Sequence, residues 1–426
     1  MTISIKMKTC LVALFFLYCL FSFSQNSNIH KKGVVVSKLD SVGLAYINVY
    51  SEINKIGTVT NEMGSFLLEL TDSLINSEIT FSSIGFLTKR IKFNKISDTV
   101  FLIPATETLK EITISNKIPK FEKIIDSIYV NLKKNYSNRR YLLKTFYRQT
   151  TIKDSAYLRI IEADVDIQEY GIKKPLDRDR IKVNYYRRSN NNLTEKHNRL
   201  WKTLKVMSSF ITNTRGINEL VWIQQENFID HFAKTKAFNI YYKNLLKSFV
   251  FDYEYTTYIN KQPVYVFTFY NKSLEGLELT ENQLNRIYVN SSDYAVVKYE
   301  RIKGYKRGNT FNNFGKIIIN YSKIGDYYYL TSILKHFYSE SIGLKIDKLH
   351  TYQIFTNRKD YEKIKRKQTE NKNQDFGERK YQYDSIFWNN YNMLKEVPLD
   401  VKLKSLTEKN KTLKKQYIEN ATKKEY

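Results

Sequence analysis

The stretch Gly33-Val34-Val35-Val36, Gly43-Leu44-Ala45-Tyr46-Ile47-Asn48-Val49-Tyr50, Gly57-Thr58-Val59-Thr60-Asn61-Glu62-Met63-Gly64-Ser65-Phe66 and Ile79-Thr80-Phe81-Ser82-Ser83-Ile84-Gly85-Phe86 decides the fold of the first part of the chain. Apolar runs of strand length alternate here with turn residues, the pattern of short antiparallel strands. Val34 to Val36 opens the first strand, Asp40-Ser41 and Gly43 turn the chain, and Tyr46 to Tyr50 forms the second. Thr58 and Thr60 share a strand face, and Asn61-Glu62-Met63-Gly64 is a tight turn with Gly64 expected at positive φ. Phe66, Leu68 and Leu70 alternate as a half-buried strand requires, and Ile79, Phe81, Phe86 and Ile91 supply further strands. Val100 to Ile103 closes the unit and Pro104 stops it. The pattern predicts an all-β sandwich of seven-stranded type over residues 30–104.

The order of a strand, Ala45-x-Ile47-x-Val49, Gly57-Thr58-x-Thr60-Asn61-Glu62-x-Gly64-Ser65-Phe66 and Phe81-Ser82-x-Ile84-Gly85-Phe86 resembles the carboxypeptidase regulatory-like domain. That resemblance implies a module with structural glycines and no catalytic position of its own. Leu109-Lys110-Glu111-Ile112-Thr113-Ile114 is similar to the extended segment that follows such domains in TonB-dependent outer-membrane receptors. The residues that remain are too few for a large barrel, so residues 105–118 are expected to be an extended linker and the chain is not expected to be such a receptor.

After Pro119, the spacing of Phe121, Ile124, Ile125, Ile128 and Leu132 predicts an amphipathic helix of three to four turns. The sequence Asn135-Tyr136, Phe146-Tyr147-Arg148-Gln149, Glu162-Ala163 and, far downstream, Phe387-Trp388-Asn389-Asn390-Tyr391-Asn392 with Pro398-Leu399 resembles an uncharacterised family of exported proteins from Gram-negative bacteria. Residues 249–357 read as an antiparallel meander, from Phe249-Val250-Phe251 through Val264 to Phe269, Arg286 to Asn290, Ile317 to Tyr321 and Tyr327 to Leu330, with Thr351 to Phe355 as its last strand. The meander resembles the curved open sheet of lipoprotein carriers (LolA/LolB-like). Residues 119–357 are therefore expected to form an α+β domain with a curved antiparallel sheet. Leu193 to Phe210 has helical spacing, and Asn357 to Lys380 is charged enough to read as a solvated linker. Within residues 358–426, Phe387, Trp388 and Tyr391 are expected to dock on the sheet, and the Lys-rich tail after Leu406 is expected to fray.

Residues 1–24 have the pattern of a secretory signal peptide: Lys6 and Lys8, the apolar run Leu11 to Phe23, and Ser22-Phe23-Ser24 before a cleavage site at Gln25. Met7 is an alternative start, and Phe16-Leu17-Tyr18 before Cys19 lacks the small residues of a lipoprotein box. Both cysteines, Cys10 and Cys19, lie in this segment, so thiol catalysis and disulfides are not expected in the mature chain. The net charge of +26 falls to +24 without Lys6 and Lys8. A positive field favours anionic partners, among them a membrane surface, although the basic residues are spread and an exported chain is not expected to meet nucleic acid. The 34 tyrosines and 25 phenylalanines suit broad sheets or an aromatic-lined groove.

His30, His197, His231, His336 and His350 have no carboxylate at zinc-ligand spacing, and no nucleophile-elbow or phosphate-loop motif occurs. Glu162, Asp164 and Asp166 fall on one face of a strand whose other face carries Ile161, Ala163, Val165 and Ile167. They are either a calcium site or a catalytic carboxylate pair, or a solvated face offset by Arg178, Arg180, Arg187 and Arg188. Trp201, Trp222 and Trp388 are either a stacking platform or core. The reading is a non-catalytic exported envelope protein, in the periplasm or at the outer membrane, acting as a binding or scaffold module for an envelope protein, lipid or glycan, without a cofactor. The alternative is a carrier of lipid or lipoprotein with a pocket lined by Phe251, Tyr253, Val266, Phe267 and Tyr329; a hydrolase using Glu162 and Asp164 is a third.

Overall fold

The computed structural model describes residues 28–51, 53, 56–60, 63–71, 74–105, 120–153, 156–172, 179–192, 199, 218, 220, 227–229, 247–259, 262–339, 344–355, 361–391 and 401–422. The signal segment, the linker beyond Ala105, the expected helix from Leu193 to Phe210 (apart from Arg199), Arg178, Trp201, Trp222 and Pro398-Leu399 lie outside the described residues.

Seven strands build the sandwich: β1 (Asn28–Ser37), β2 (Asn48–Ser51), β3 (Ile56–Val59), β4 (Ser65–Thr71), β5 (Glu78–Ser82), β6 (Lys89–Lys92) and β7 (Thr99–Leu102). One sheet runs β4-β1-β7 and the other β3-β2-β5-β6. The two inner faces meet in a core of Val35, Ile47, Val49, Phe66, Leu68, Ile79, Phe81, Val100 and Leu102, the residues that alternate in the sequence. Gly64 takes φ +80, and a Cβ there would stand 2.3 Å from the Val35 carbonyl oxygen, so this turn admits glycine alone. Thr60, on β3's exit, donates to the Leu44 carbonyl and accepts from the Ile47 amide, tying the turn to the second strand.

The second part opens with α1 (Phe121–Asn135), whose buried face is Phe121, Ile124, Ile125, Ile128 and Leu132 as the spacing predicts. Ten strands follow: β8 (Tyr141–Lys153), β9 (Ala156–Glu169), β10 (Arg180–Arg188), β11 (Phe249–Ile259), β12 (Gln262–Asn271), β13 (Asn285–Asn290), β14 (Val296–Arg307), β15 (Thr310–Ile324), β16 (Tyr327–Ser339) and β17 (Leu344–Phe355). They form one antiparallel sheet in the order β10-β9-β8-β17-β16-β15-β14-β13-β12-β11. The meander from β11 to β17 is the expected one, but its last strand is central, because β17 pairs with β8 along eleven residue pairs from Lys345↔Ile152 to Phe355↔Leu142. The all-β sandwich is thus followed by an α+β unit with a large curved antiparallel sheet.

One face of that sheet receives α1. Phe121 stacks on Phe251 with ring centroids 3.8 Å apart and meets Phe267 edge-on. At the helix end, the Tyr136 hydroxyl donates to the Val296 carbonyl and accepts from the Val296 amide, both at 2.9 Å. The opposite face receives the sandwich, through Val59 and Tyr46 against Phe146, Ile318 and Leu334, and through a bond from Asn48 Nδ2 to Ser322 Oγ of 3.0 Å. The Gly85 amide donates to the Tyr258 carbonyl at the far edge.

Two expectations for the C-terminal region fail. The Asn357 to Lys380 segment is not a solvated linker where it is described: Ile364 is buried, and Phe376 is 0% exposed between Tyr147 and Tyr186. The tail does not fray after Leu406; beyond α2 (Ser385–Asn390) and α3 (Val401–Glu408), α4 (Leu413–Thr422) buries Leu413 and Tyr417 against Tyr157 and Ile160. In both places a few apolar residues among many charges suffice to dock the backbone. The expected docking of Phe387, Trp388 and Tyr391 is present: Phe387 stacks on Tyr185 at 3.4 Å and Trp388 is buried.

Replacing Ile128 by Ala should cost about 2–5 kcal/mol of unfolding free energy, because a fully buried β-branched side chain leaves a cavity between α1 and the sheet. Chemical denaturation measures it, and a loss below about 1 kcal/mol would mean that α1 is not part of the core.

Candidate functional site

Strand β9 places Glu162, Asp164 and Asp166 on the sheet face opposite α1, and Ile161, Ala163, Val165 and Ile167 in the core on the helix side, as the alternation requires. The face is not solvated. Glu162 is 1% exposed. Its Oε1 accepts from Arg148 Nε at 2.6 Å and its Oε2 from Arg187 Nε at 2.6 Å and Nη2 at 2.5 Å. Arg148 sits directly across from it on β8, and Arg187 directly across on β10. The Arg187 guanidinium lies over the Trp388 ring at 4.1 Å and the Tyr417 ring at 4.7 Å, a stacked geometry that suits the planar cation. Burial alone would raise the Glu162 carboxyl; the charges of Arg148 and Arg187, with their hydrogen bonds, outweigh it and hold it at about 2.

Asp164 accepts from Asn184 Nδ2 at 3.0 Å and from the Tyr391 hydroxyl at 2.9 Å. Burial raises its carboxyl above the ordinary range, partly countered by those two bonds. Asp166 stands between Lys144 and Lys182 in register, at a cleft of about 420 Å³ also lined by Leu142, Tyr361, Ile364 and Gln368. The three acids are therefore separated in function: one saturated by two guanidiniums, one holding the C-terminal segment, one facing lysines. They do not converge on a substrate-sized cleft. Of the four arginines expected to offset them, Arg187 does so, Arg180 donates to the Ile364 carbonyl and Arg188 to the Gly377 carbonyl. Arg148, part of the Phe146-Tyr147-Arg148-Gln149 motif but not among the arginines expected to offset the acids, is the second partner; register alone reveals it. Among the described residues no group of three or more His, Cys, Asp or Glu could hold a metal ion.

The five residues expected to line a pocket divide. Phe251, Tyr253 and Phe267 share the helix-bearing face, with Phe251 paired to Phe269 and Tyr253 to Phe267 across β11 and β12. Val266 cannot join them, since it neighbours Phe267 in the same strand and alternates to the other face, opposite Tyr288. Tyr329 is buried against Tyr141, away from the β11 edge. The group that does assemble is wider and aromatic: Phe249, Phe251, Tyr253, Phe267, Phe269 and Tyr299, with Phe121 from α1 and Phe228 stacked on Tyr299 at 4.2 Å. Of these, Phe249, Phe251, Tyr253, Tyr299 and Phe228 are only half-buried. The alternation Phe249-x-Phe251-x-Tyr253 signalled the β11 part; Phe269 and Tyr299 required the strand register.

No family model matches the chain, and no curated protein matches it. Among solved structures, the chain aligns with a LolA superfamily protein from Nitrosomonas europaea, with 11% identity and a TM-score of 0.23 over 58% of this chain and 99% of that one. An outer membrane lipoprotein-sorting protein domain from Vibrio parahaemolyticus aligns with 11% identity and a TM-score of 0.22, over 55% of this chain and 94% of that one. A chain of the Pseudomonas aeruginosa MucA/MucB complex structure aligns with 6% identity and a TM-score of 0.15, over 54% of this chain and 93% of that one.

Glu162→Gln should destabilise the protein by about 3–5 kcal/mol, because it strands two guanidiniums. The wild-type carboxyl is lower in the folded state than its ordinary 4.5, so its contribution is present above that pH and is lost as pH falls toward about 2. Urea unfolding across this range should show the acid-side loss in the wild type and a shallower one in Glu162→Gln. Identical acid limbs would remove the ion-pair assignment.

Proposed function

We propose that the chain is a non-catalytic, exported envelope protein that binds the acyl part of a lipid or lipoprotein against the helix-bearing face of its ten-stranded sheet. The observation that carries this reading is the half-buried aromatic array of Phe249, Phe251 and Tyr253 on β11 and Tyr299 on β14, floored by the buried Phe267 and Phe269 of β12. Rings that are neither fully packed nor polar offer an acyl chain a large apolar surface, and their edges and faces accept CH₂ groups without a fixed register. The N-terminal signal pattern supports export, and the separation of Glu162, Asp164 and Asp166 supports a role without catalysis. No helix among the described residues is long and apolar enough to cross a membrane.

The scaffold reading has one observation in its favour. Helix α1 already covers part of the same face from β11 to β16, and Phe376 packs at its other end against Tyr147 and Tyr186. On that reading the aromatic edge meets a protein partner, and the sandwich, docked on the other face, serves as a second contact surface.

A detergent-free titration with a fluorescent long-chain fatty acid separates the two. Saturable binding is expected for the wild type, and Phe251→Ala with Tyr253→Ala should weaken it tenfold or more at a temperature where circular dichroism shows the variant folded, its melting temperature being lowered by the lost packing on Phe121. Absence of saturable binding by the wild type, or equal binding by the double variant, would reject the acyl reading and leave the scaffold.

A further inference from the structure

We infer that the opposite end of the helix-bearing face, at β8 and β9, holds a buried site for a small oxyanion, a phosphate or carboxylate group. The site does not depend on acyl binding, since it lies at β8–β10 and the aromatic array at β11–β14, near the two ends of the sheet. Its centre is Arg159, which is 3% exposed. Among the described residues Arg159 makes no ion pair, and its Nε and Nη2 are buried without a hydrogen-bond partner. Thr151 stands directly across from it on β8, and Gln149 two residues along on the same face. Thr151 Oγ1 and Gln149 Nε2 are also buried and without a partner. The Tyr147 hydroxyl donates to Gln149 Oε1 at 2.8 Å, which leaves the amide nitrogen as the unsatisfied end.

A second guanidinium approaches from β10. Arg188 donates from Nη1 to the Gly377 carbonyl, and its Nε is buried without a partner. Arg159 lies against the same glycine: a Cβ on Gly377 would stand 2.6 Å from Arg159 Nη1. A side chain there would displace the guanidinium. The nearby acid is Asp375, whose Oδ1 accepts from the Gly377 amide at 2.9 Å and lies 3.3 Å from the same Cβ position.

The unsatisfied atoms are thus four nitrogen donors and one hydroxyl, with no unsatisfied acceptor beside them. A buried guanidinium without an ion pair, and with two of its nitrogens unbonded, is among the costlier arrangements a fold can hold. A cation or a neutral apolar group would make it worse. An oxyanion brings the charge and the several lone pairs that a planar fork of N–H groups fits. The class of ligand follows from the donors; its source is either a free anion or the headgroup of a lipid.

Thermal unfolding of the full mature chain tests the site. The probes are inorganic phosphate and short-chain phosphatidic acid, each against sodium chloride at matched ionic strength. A ligand that binds only the folded state raises Tm in a saturable way, by roughly several degrees here. A rise with phosphate supports the site with a free anion as source; a rise with phosphatidic acid alone supports it with a headgroup as source. Arg159→Met should abolish the response. Gly377→Ala, which keeps the charge and intrudes on the guanidinium, should weaken the apparent affinity tenfold or more. If Arg159→Met fails to fold, Gly377→Ala and Gln149→Leu carry the test. No rise in the wild type with either probe, or an equal rise in the variants that fold, overturns the site. Fatty-acid binding should be unchanged in Gly377→Ala, which keeps this test separate from that of the acyl reading.

Discussion

A single carboxylate, Glu162, organises half of the large sheet. It sits inside a face that the sandwich and the C-terminal helices cover, and it is tolerated there only because Arg148 and Arg187 approach from the strands on either side. Such a triad is a weak source of net stability, because desolvation offsets the attraction. It is a strong source of register. A shift of β8 or β10 by one residue would turn the partner guanidinium to the other face and leave the charge alone. Arg187 extends the constraint outward, since its planar cation is the surface on which Trp388 and Tyr417 rest. The last helices of the chain are therefore attached to the sheet through the same charge that fixes its strands.

Glu300 repeats the arrangement on β14 with lysines. Lys298 and Lys316 approach its two oxygens at 2.6 and 2.7 Å, and although burial would raise its carboxyl, their charges hold it at about 2. The two faces of the sheet thus differ in kind. The helix-bearing face is apolar through its middle, aromatic and half-open toward β11, and carries the buried guanidiniums of Arg159 and Arg188 toward β10. The other face carries Glu162 and Glu300, each neutralised in place, beside the apolar patch of Phe146, Ile318 and Leu334 on which the sandwich rests.

Much of this architecture was legible in the sequence, and the reasons are local. The sandwich strands announce themselves because each is short, alternates, and ends at a glycine, proline or polar turn. The stripe from Phe121 to Leu132 fixes α1, and the alternation from Ile160 to Tyr170 correctly puts the three acids on one face. What the sequence did not disclose is what lies above that face. Near-continuous burial along β8, covered on both sides, blurs the alternation on which a wet or dry assignment depends. The partner of Glu162 is set by pairing, not by proximity in the chain. Phe376 shows the same limit from the other side: one aromatic residue in a charged run is invisible to an average over the window, yet it anchors the whole segment. Val266 and Phe267 were grouped by hydrophobicity although a strand must send them apart.

The placement of β17 between β8 and β16 bears on how the molecule assembles. The hairpin of β8 and β9 can close by itself, but the inner edge of β8 keeps a row of unpaired amides and carbonyls until a segment about two hundred residues later arrives. Joining distant strands places a loop-closure cost ahead of the reward. The chain should accordingly pass through a stage in which the meander is formed and the hairpin is still apart, with a bare strand margin exposed. Completion of the sheet, rather than formation of either half, is then the event that protects the molecule from pairing with its neighbours.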